Sequence, residues 1–148
     1  MDYTYDHYTA DIARLERSII ESEKHYDYIV GIVRGGCIPA VCLSHRLGLP
    51  MKCVSWSTFH GDQMKESAWD IADDIHEGKR LLIVDDILDS GRTVRELLED
   101  WGAHREQIDV AVLIYNTDQS TVPDYHGRKI DKSKDPSWVH FWWEADND

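Results

Sequence analysis

The chain has 148 residues, a length that suits one domain around one core. It carries 16 lysine and arginine residues against 28 aspartate and glutamate residues, a formal charge of −12. Nucleic acids and anionic membranes require a basic surface, so neither is expected as a partner, whereas backbone N–H groups and metal ions could still hold a small phosphorylated ligand. The three cysteines lack CxxC spacing and no apolar run approaches about 20 residues, which predicts a cytoplasmic protein without a disulfide framework or membrane span.

Strand and helix patterns alternate along most of the chain. In chain order the patterns predict a helix at 7–24, a strand at 28–33, a helix at 37–47, and strands at 52–56 and 81–85, followed by a helix at 94–101 and a strand at 108–115. Continuous apolar strands separated by helices predict an α/β fold, a mostly parallel twisted sheet with helices on both faces. Residues 58–80 are predicted to form a polar lid. Residues 117–148 are expected to be an irregular, tryptophan-rich cap on the single domain 1–148.

Residues 81–93 carry the strongest functional signal. An apolar strand leads into two carboxylates, which a short turn and the start of a helix follow. The polar residues and the glycine of this segment are Asp85, Asp86, Asp89, Ser90, Gly91, Arg92 and Thr93. Ligands of open α/β sheets bind at the carboxyl ends of strands, and helix N-termini bind anions. A helix cap would explain one of these residues, but it does not explain the paired acids, the glycine and the threonine together.

This run resembles in full the motif that binds 5-phosphoribosyl-1-pyrophosphate (PRPP) in the type I phosphoribosyltransferases. The chain as a whole resembles the short xanthine-guanine and hypoxanthine-guanine phosphoribosyltransferases. The resemblance implies transfer of 5-phosphoribosyl from PRPP to a purine base, most readily a 6-oxopurine, with release of pyrophosphate in purine salvage. It also implies Mg²⁺ as cofactor, a homodimer or homotetramer, and a C-terminal base-binding hood at 117–148.

The resemblance assigns roles to the PRPP-binding residues. Asp85 and Asp86 are expected to hold the ribose hydroxyls, directly or through Mg²⁺, and Asp89 is expected to act at the N7 proton of the base. The turn of Arg34, Gly35 and Gly36 resembles the family's pyrophosphate loop, which often carries a cis peptide at its arginine. A glycine pair between a strand and a helix can also form an anion-binding nest, to which Arg34 adds a cation.

The resemblance to the family is less complete for the residues that are expected to bind the base. Thr58 and Phe59 lie where relatives carry a mobile loop, and Trp138 and Val139 match residues that stack on the base and offer it backbone groups. Asn116 stands where purine enzymes usually place a lysine, and residues 126–136 form a longer connection than usual. The missing ammonium could come instead from one of three lysines in that region, Lys129, Lys132 or Lys134.

Two other functions fit part of this pattern. One is a PRPP-binding regulator without significant catalysis, although the presence of all three acidic residues of the motif favours an enzyme. The other is a transferase for a pyrimidine or another base, which the asparagine at position 116 leaves open.

Overall fold

The computed structural model describes residues 1–55, 65–101 and 105–144, without the side chains of residues 65–69 and 100. In this part of the chain the main sheet consists of the strands β2 (Tyr28–Val33), β3 (Met51–Ser55), β4 (Leu81–Leu88), β5 (Ile108–Asn116) and β6 (Tyr125–Ile130). The strands are all parallel, in the order β3-β2-β4-β5-β6. The helices are α1 (Tyr5–Glu21), α2 (Cys37–Leu47), α3 (Lys65–His76) and α4 (Arg92–Asp100). The predicted fold class is therefore confirmed.

Alternating side chains of the strands build one core on each face of the sheet. On β4, Leu82 and Val84 face a core that contains residues of α1 and α2. Their neighbours Leu81 and Ile83 face a second core with residues of α3 and α4. Both faces are covered, which explains why the central strands are apolar without interruption.

The structure differs from the predicted elements in three places. Strand β4 continues past both carboxylates to Leu88, because its outer half still pairs with β5. Helix α3 occupies much of the predicted polar lid and anchors itself through the buried side chains of Ile71 and Ile75. The tail is not wholly irregular, since β6 joins the main sheet beside β5.

The two chain ends meet in a small parallel sheet of β1 (Asp2–Tyr3) and β7 (His140–Phe141). The amino group of Met1 donates to the carbonyl oxygen of Trp138 at 3.0 Å. Asp11 on α1, fully buried, accepts hydrogen bonds from the hydroxyl of Tyr3 and the guanidinium of Arg128 on β6, each at 2.7 Å. This hydrogen-bonded cluster fixes the terminal sheet to the main fold. No helix within the described ranges is long and apolar enough to cross a membrane.

Candidate active site

Two strand-to-helix loops meet at the carboxyl edge of the sheet. β2 and β4 are neighbours, and the chain order runs outward from them in opposite directions, which is where open α/β sheets bind ligands. The loops lead into α2 and α4, whose N-caps are Gly36 and Gly91. Neither N-cap glycine has a side chain to cap its helix. At the start of α2 the N–H groups of Cys37 and Ile38 already donate to the carbonyl oxygens of Arg34 and Gly35, at 3.1 and 3.3 Å. At the start of α4 the N–H of Arg92 donates to the Oγ atom of Ser90 at 3.3 Å, and the next N–H groups of that turn can serve an anion.

Glycine allows the β2–α2 loop to lie directly against β4. A Cβ atom at Gly35 would lie 1.9 Å from the Oδ2 atom of Asp86. At Gly36 a Cβ would lie 2.6 Å from the carbonyl oxygen of Ile32 and 2.7 Å from that of Val84. Any larger residue would push the loop away from the acids. The Val33–Arg34 peptide bond is cis, and Arg34 is exposed.

The carboxylates of Asp85 and Asp86 lie beside this loop without a cationic partner. Within the described ranges neither carboxylate takes part in an ion pair. Burial raises the pKa of Asp85 well above the range usual for aspartate, and the charge of Asp86 raises it further. Burial also raises the pKa of Asp86. Two neighbouring carboxylates in this state favour binding of hydroxyl donors or of a cation.

The β4–α4 loop borders a cavity of about 230 Å³ that is lined by residues 85–94. Gly91 has a left-handed backbone with φ of 74°, and Thr121 fills the space that a Cβ would need there. Arg95 donates from Nη1 to the carbonyl oxygen of Ser90 at 3.3 Å and to the Oγ1 atom of Thr121 at 3.1 Å. Sequence reasoning missed Arg95 and Thr121, because they hold the loop from outside the motif.

The predicted catalytic aspartate, Asp89, lies in a hydrogen-bonded group with Asn116 at the end of β5 and Lys132 after β6. Its Oδ1 atom accepts from the amide nitrogen of Asn116 at 3.0 Å, and its Oδ2 atom accepts from the ammonium of Lys132 at 2.6 Å. The Oδ1 atom of Asn116 accepts from the backbone N–H groups of Asp118 and Lys132, each at 3.1 Å. Asn116 is 1% exposed. These contacts favour a positioning role for Asn116 over direct contact with a base.

The tryptophans of the tail separate into two kinds. Trp142 and Trp143 pack at 5.3–6.2 Å between ring centroids against Tyr5, Tyr8 and Tyr3. Trp138 is 66% exposed, with the ammonium of Lys132 5.7 Å from its ring centroid. The side chain of the next residue, Val139, is buried, so only its backbone could face a ligand. The expected mobile-loop residues, Thr58 and Phe59, lie outside the described residues.

Comparison with known proteins decides the family. Residues 4–148 match the family model described as the phosphoribosyl transferase domain. The chain belongs to the phosphoribosyltransferase family. A solved purine phosphoribosyltransferase from Pyrococcus horikoshii is 32% identical and superposes with a TM-score of 0.72, covering 98% of this chain and 94% of that one.

Two curated relatives extend the comparison among the phosphoribosyltransferases. Xanthine-guanine phosphoribosyltransferase from Idiomarina loihiensis is 27% identical over 124 residues, which span 82% of this chain and 73% of that protein. Orotate phosphoribosyltransferase 2 from Mesorhizobium japonicum is 37% identical over 73 residues, which span 49% of this chain but only 34% of that protein. The alignments with the purine and xanthine-guanine phosphoribosyltransferases therefore cover more of this chain than the alignment with orotate phosphoribosyltransferase 2 does.

Because the acid pair lacks a cationic partner among the described residues, removing one of its charges is predicted to stabilise this phosphoribosyltransferase. Since the folded-state pKa of Asp85 is raised, its ionisation opposes folding, and stability falls as the pH rises. At pH 8 without ligands, Asp85→Asn should therefore raise the thermal midpoint by about 2–4 °C, because the amide oxygen can still accept from the N–H of Asp86. Circular dichroism melting measures the shift. Asp73→Asn on the exposed face of α3 serves as control, and a midpoint lowered by Asp85→Asn would contradict the burial of unpaired charge.

Proposed function

We propose that this protein transfers the 5-phosphoribosyl group of PRPP to a 6-oxopurine base, releasing pyrophosphate. The observation that carries the proposal is the pair of carboxylates, Asp85 and Asp86, which have no cationic partner among the described residues and lie between the loops that lead into α2 and α4. PRPP presents phosphates on both sides of a ribose diol. The start of α4 suits one phosphate, the cation of Arg34 and the dipole of α2 suit the other, and the carboxylates between them suit the diol.

The phosphate groups are assigned to the two loops. The 5-phosphate is placed on the start of α4, with the backbone of Gly91 and the hydroxyls of Ser90 and Thr93 as donors. The Nε atom of Arg92 already donates to Glu96 at 2.9 Å and its backbone N–H donates to the Oγ atom of Ser90 at 3.3 Å, so its contribution to the phosphate is its charge. The pyrophosphate is placed on the loop of Arg34, Gly35 and Gly36. The positive end of each helix dipole stabilises the negative charge there.

The carboxylate pair also fits Mg²⁺. Protein-bound Mg²⁺ is typically held by one or two carboxylates together with substrate phosphates, rather than by a complete protein cage. In keeping with this, the described residues contain no cluster of three or more potential metal ligands, while Asp85 and Asp86 offer two carboxylates without a cation. When bound, Mg²⁺ would neutralise charge on the pyrophosphate leaving group.

The transfer step forms a bond between the base nitrogen N9 and C1 of the ribose. The bond between C1 and the pyrophosphate oxygen breaks, and its electron pair leaves with pyrophosphate. Asp89 accepts the proton from N7, which balances the charge that the base gains at N9. The products are a nucleoside 5-monophosphate and pyrophosphate. Arg34 and the loop glycines would stabilise the charge that develops on the leaving group.

The base is assigned to the exposed ring of Trp138, with the backbone of Val139 at its edge. Asn116 belongs to this side of the site as the residue that orients Asp89. A homodimer or homotetramer is expected from the resemblance to the family. The intact acidic residues favour catalysis over a purely regulatory role.

The double variant Asp85→Asn with Asp86→Asn tests the PRPP assignment. Loss of both charges should remove turnover and weaken Mg²⁺-dependent PRPP binding by at least about tenfold, because hydrogen bonds to charged acceptors are lost. Isothermal calorimetry measures PRPP affinity, and circular dichroism checks that the fold persists. An unchanged PRPP affinity in a folded double variant would overturn the assignment.

Asp89→Asn tests the chemical step separately. The amide keeps the shape of the carboxylate but cannot accept a proton, so kcat should fall on the order of 10²-fold or more. PRPP affinity should change little, because the phosphate and diol contacts remain. Steady-state kinetics with saturating PRPP measures the effect. A variant with near-normal kcat would show that Asp89 serves only the local hydrogen-bonded structure.

A further inference from the structure

The ammonium of Lys132 has a location that the PRPP-binding motif does not explain. Its side chain is 18% exposed, whereas that of Lys134, two residues later, is 84% exposed. The Nζ atom lies 2.6 Å from the Oδ2 atom of Asp89 and 5.7 Å from the ring centroid of Trp138. Lysines are seldom withdrawn from water to this extent unless they are paired, so the location calls for a reason.

The neighbouring asparagine holds this lysine in place. Asn116 accepts the backbone N–H of Lys132 on its Oδ1 atom and donates from Nδ2 to Asp89. One buried amide therefore fixes both the start of the segment that carries the ammonium and the carboxylate that the ammonium meets. Asn116 acts as a positioning residue, because its Oδ1 atom already accepts two backbone N–H groups and its Nδ2 atom already donates to Asp89.

The pair retains hydrogen-bonding capacity for a ligand. An ammonium has three N–H donors, and one of those of Lys132 points to Asp89. A carboxylate oxygen can accept more than one hydrogen bond, so Asp89 also keeps acceptor capacity. At 5.7 Å the ammonium lies near the outer limit of a cation–π contact, about 6 Å, and the exposed ring of Trp138 can still accept a stacked base.

We infer that Lys132, together with Asp89, reads the edge of the base and selects 6-oxopurines over 6-aminopurines. The inference rests on the proposed transfer function. A 6-oxopurine carries its O6 acceptor beside N7, which suits an ammonium next to a carboxylate that accepts the N7 proton. Adenine places an amino donor in the position of O6, opposite an ammonium that can only donate. The selecting cation thus comes from the segment after β6 rather than from the end of β5.

The test compares Lys132→Met and Lys132→Gln with the matched control Lys134→Gln. Without the ammonium, kcat/KM for guanine and hypoxanthine should fall by at least about tenfold, since a charge-assisted hydrogen bond is lost. The value for adenine should stay level or rise. The PRPP affinity of both Lys132 variants, measured by calorimetry, should stay within about twofold of the wild-type value. Lys134→Gln should leave the ratio of kcat/KM for hypoxanthine to kcat/KM for adenine unchanged, because the side chain of Lys134 lies in solvent.

Lys132→Arg keeps the charge and should retain part of the preference for 6-oxopurines. An equal loss for all purines in Lys132→Met would reduce Lys132 to a structural partner of Asp89 and overturn the inference. The inference would also be overturned if the ratio of kcat/KM for hypoxanthine to kcat/KM for adenine were unchanged in both Lys132→Met and Lys132→Gln.

Ligand-observed NMR with hypoxanthine and adenine separates this inference from the transfer function. If wild type shows no turnover but binds hypoxanthine in preference to adenine, and Lys132→Met loses that preference, then the transfer function fails and the inference stands. If wild type turns over 6-oxopurines and Lys132→Met keeps the same preference, the transfer function stands and the inference fails.

Discussion

The close contact between the glycine loop after β2 and the acidic end of β4 is the constraint around which the site is built. The carboxylate of Asp86 occupies the space that a side chain at position 35 would need. The loop can therefore lie against the carboxylates only because residue 35 is glycine. The cost is a half-buried acid pair with raised pKa values and no cationic partner among the described residues. That unfavourable arrangement is typical of a site that is completed by its ligand, and stability lost in the free protein can be recovered as binding energy.

The side of the site proposed for the base depends on a different interaction, the hydrogen-bonded group around Asp89. Here the charges are compensated, with Lys132 on one carboxylate oxygen and Asn116 on the other. The carboxylates of Asp85 and Asp86 thus attract a cation and hydroxyl groups. The Lys132–Asp89 pair instead presents an ammonium as a donor group and a carboxylate as an acceptor group. Asn116, at the end of β5, ties the pair to the sheet, which limits the motion of Asp89.

Sequence patterns predicted the features that depend on local physics. The strand β2 and the helix α2 were visible because a buried apolar run and helical spacing leave local signals. Helix α3 was missed because its apolar stripe is sparse, and β6 because an edge strand of mixed polarity resembles a loop. The Lys132–Asp89 pair joins residues 43 positions apart, and sequence could name Lys132 only as one of three candidates.

Phosphorus-31 NMR of the wild-type protein with PRPP and Mg²⁺ tests the central claim most directly. Separate samples contain hypoxanthine, guanine, xanthine, adenine or orotate. The structure predicts that the PRPP signals give way to those of pyrophosphate and a nucleoside 5-monophosphate, fastest with a 6-oxopurine and only when Mg²⁺ is present. PRPP that stays intact with every base would contradict transfer, and conversion with orotate alone would contradict the purine assignment.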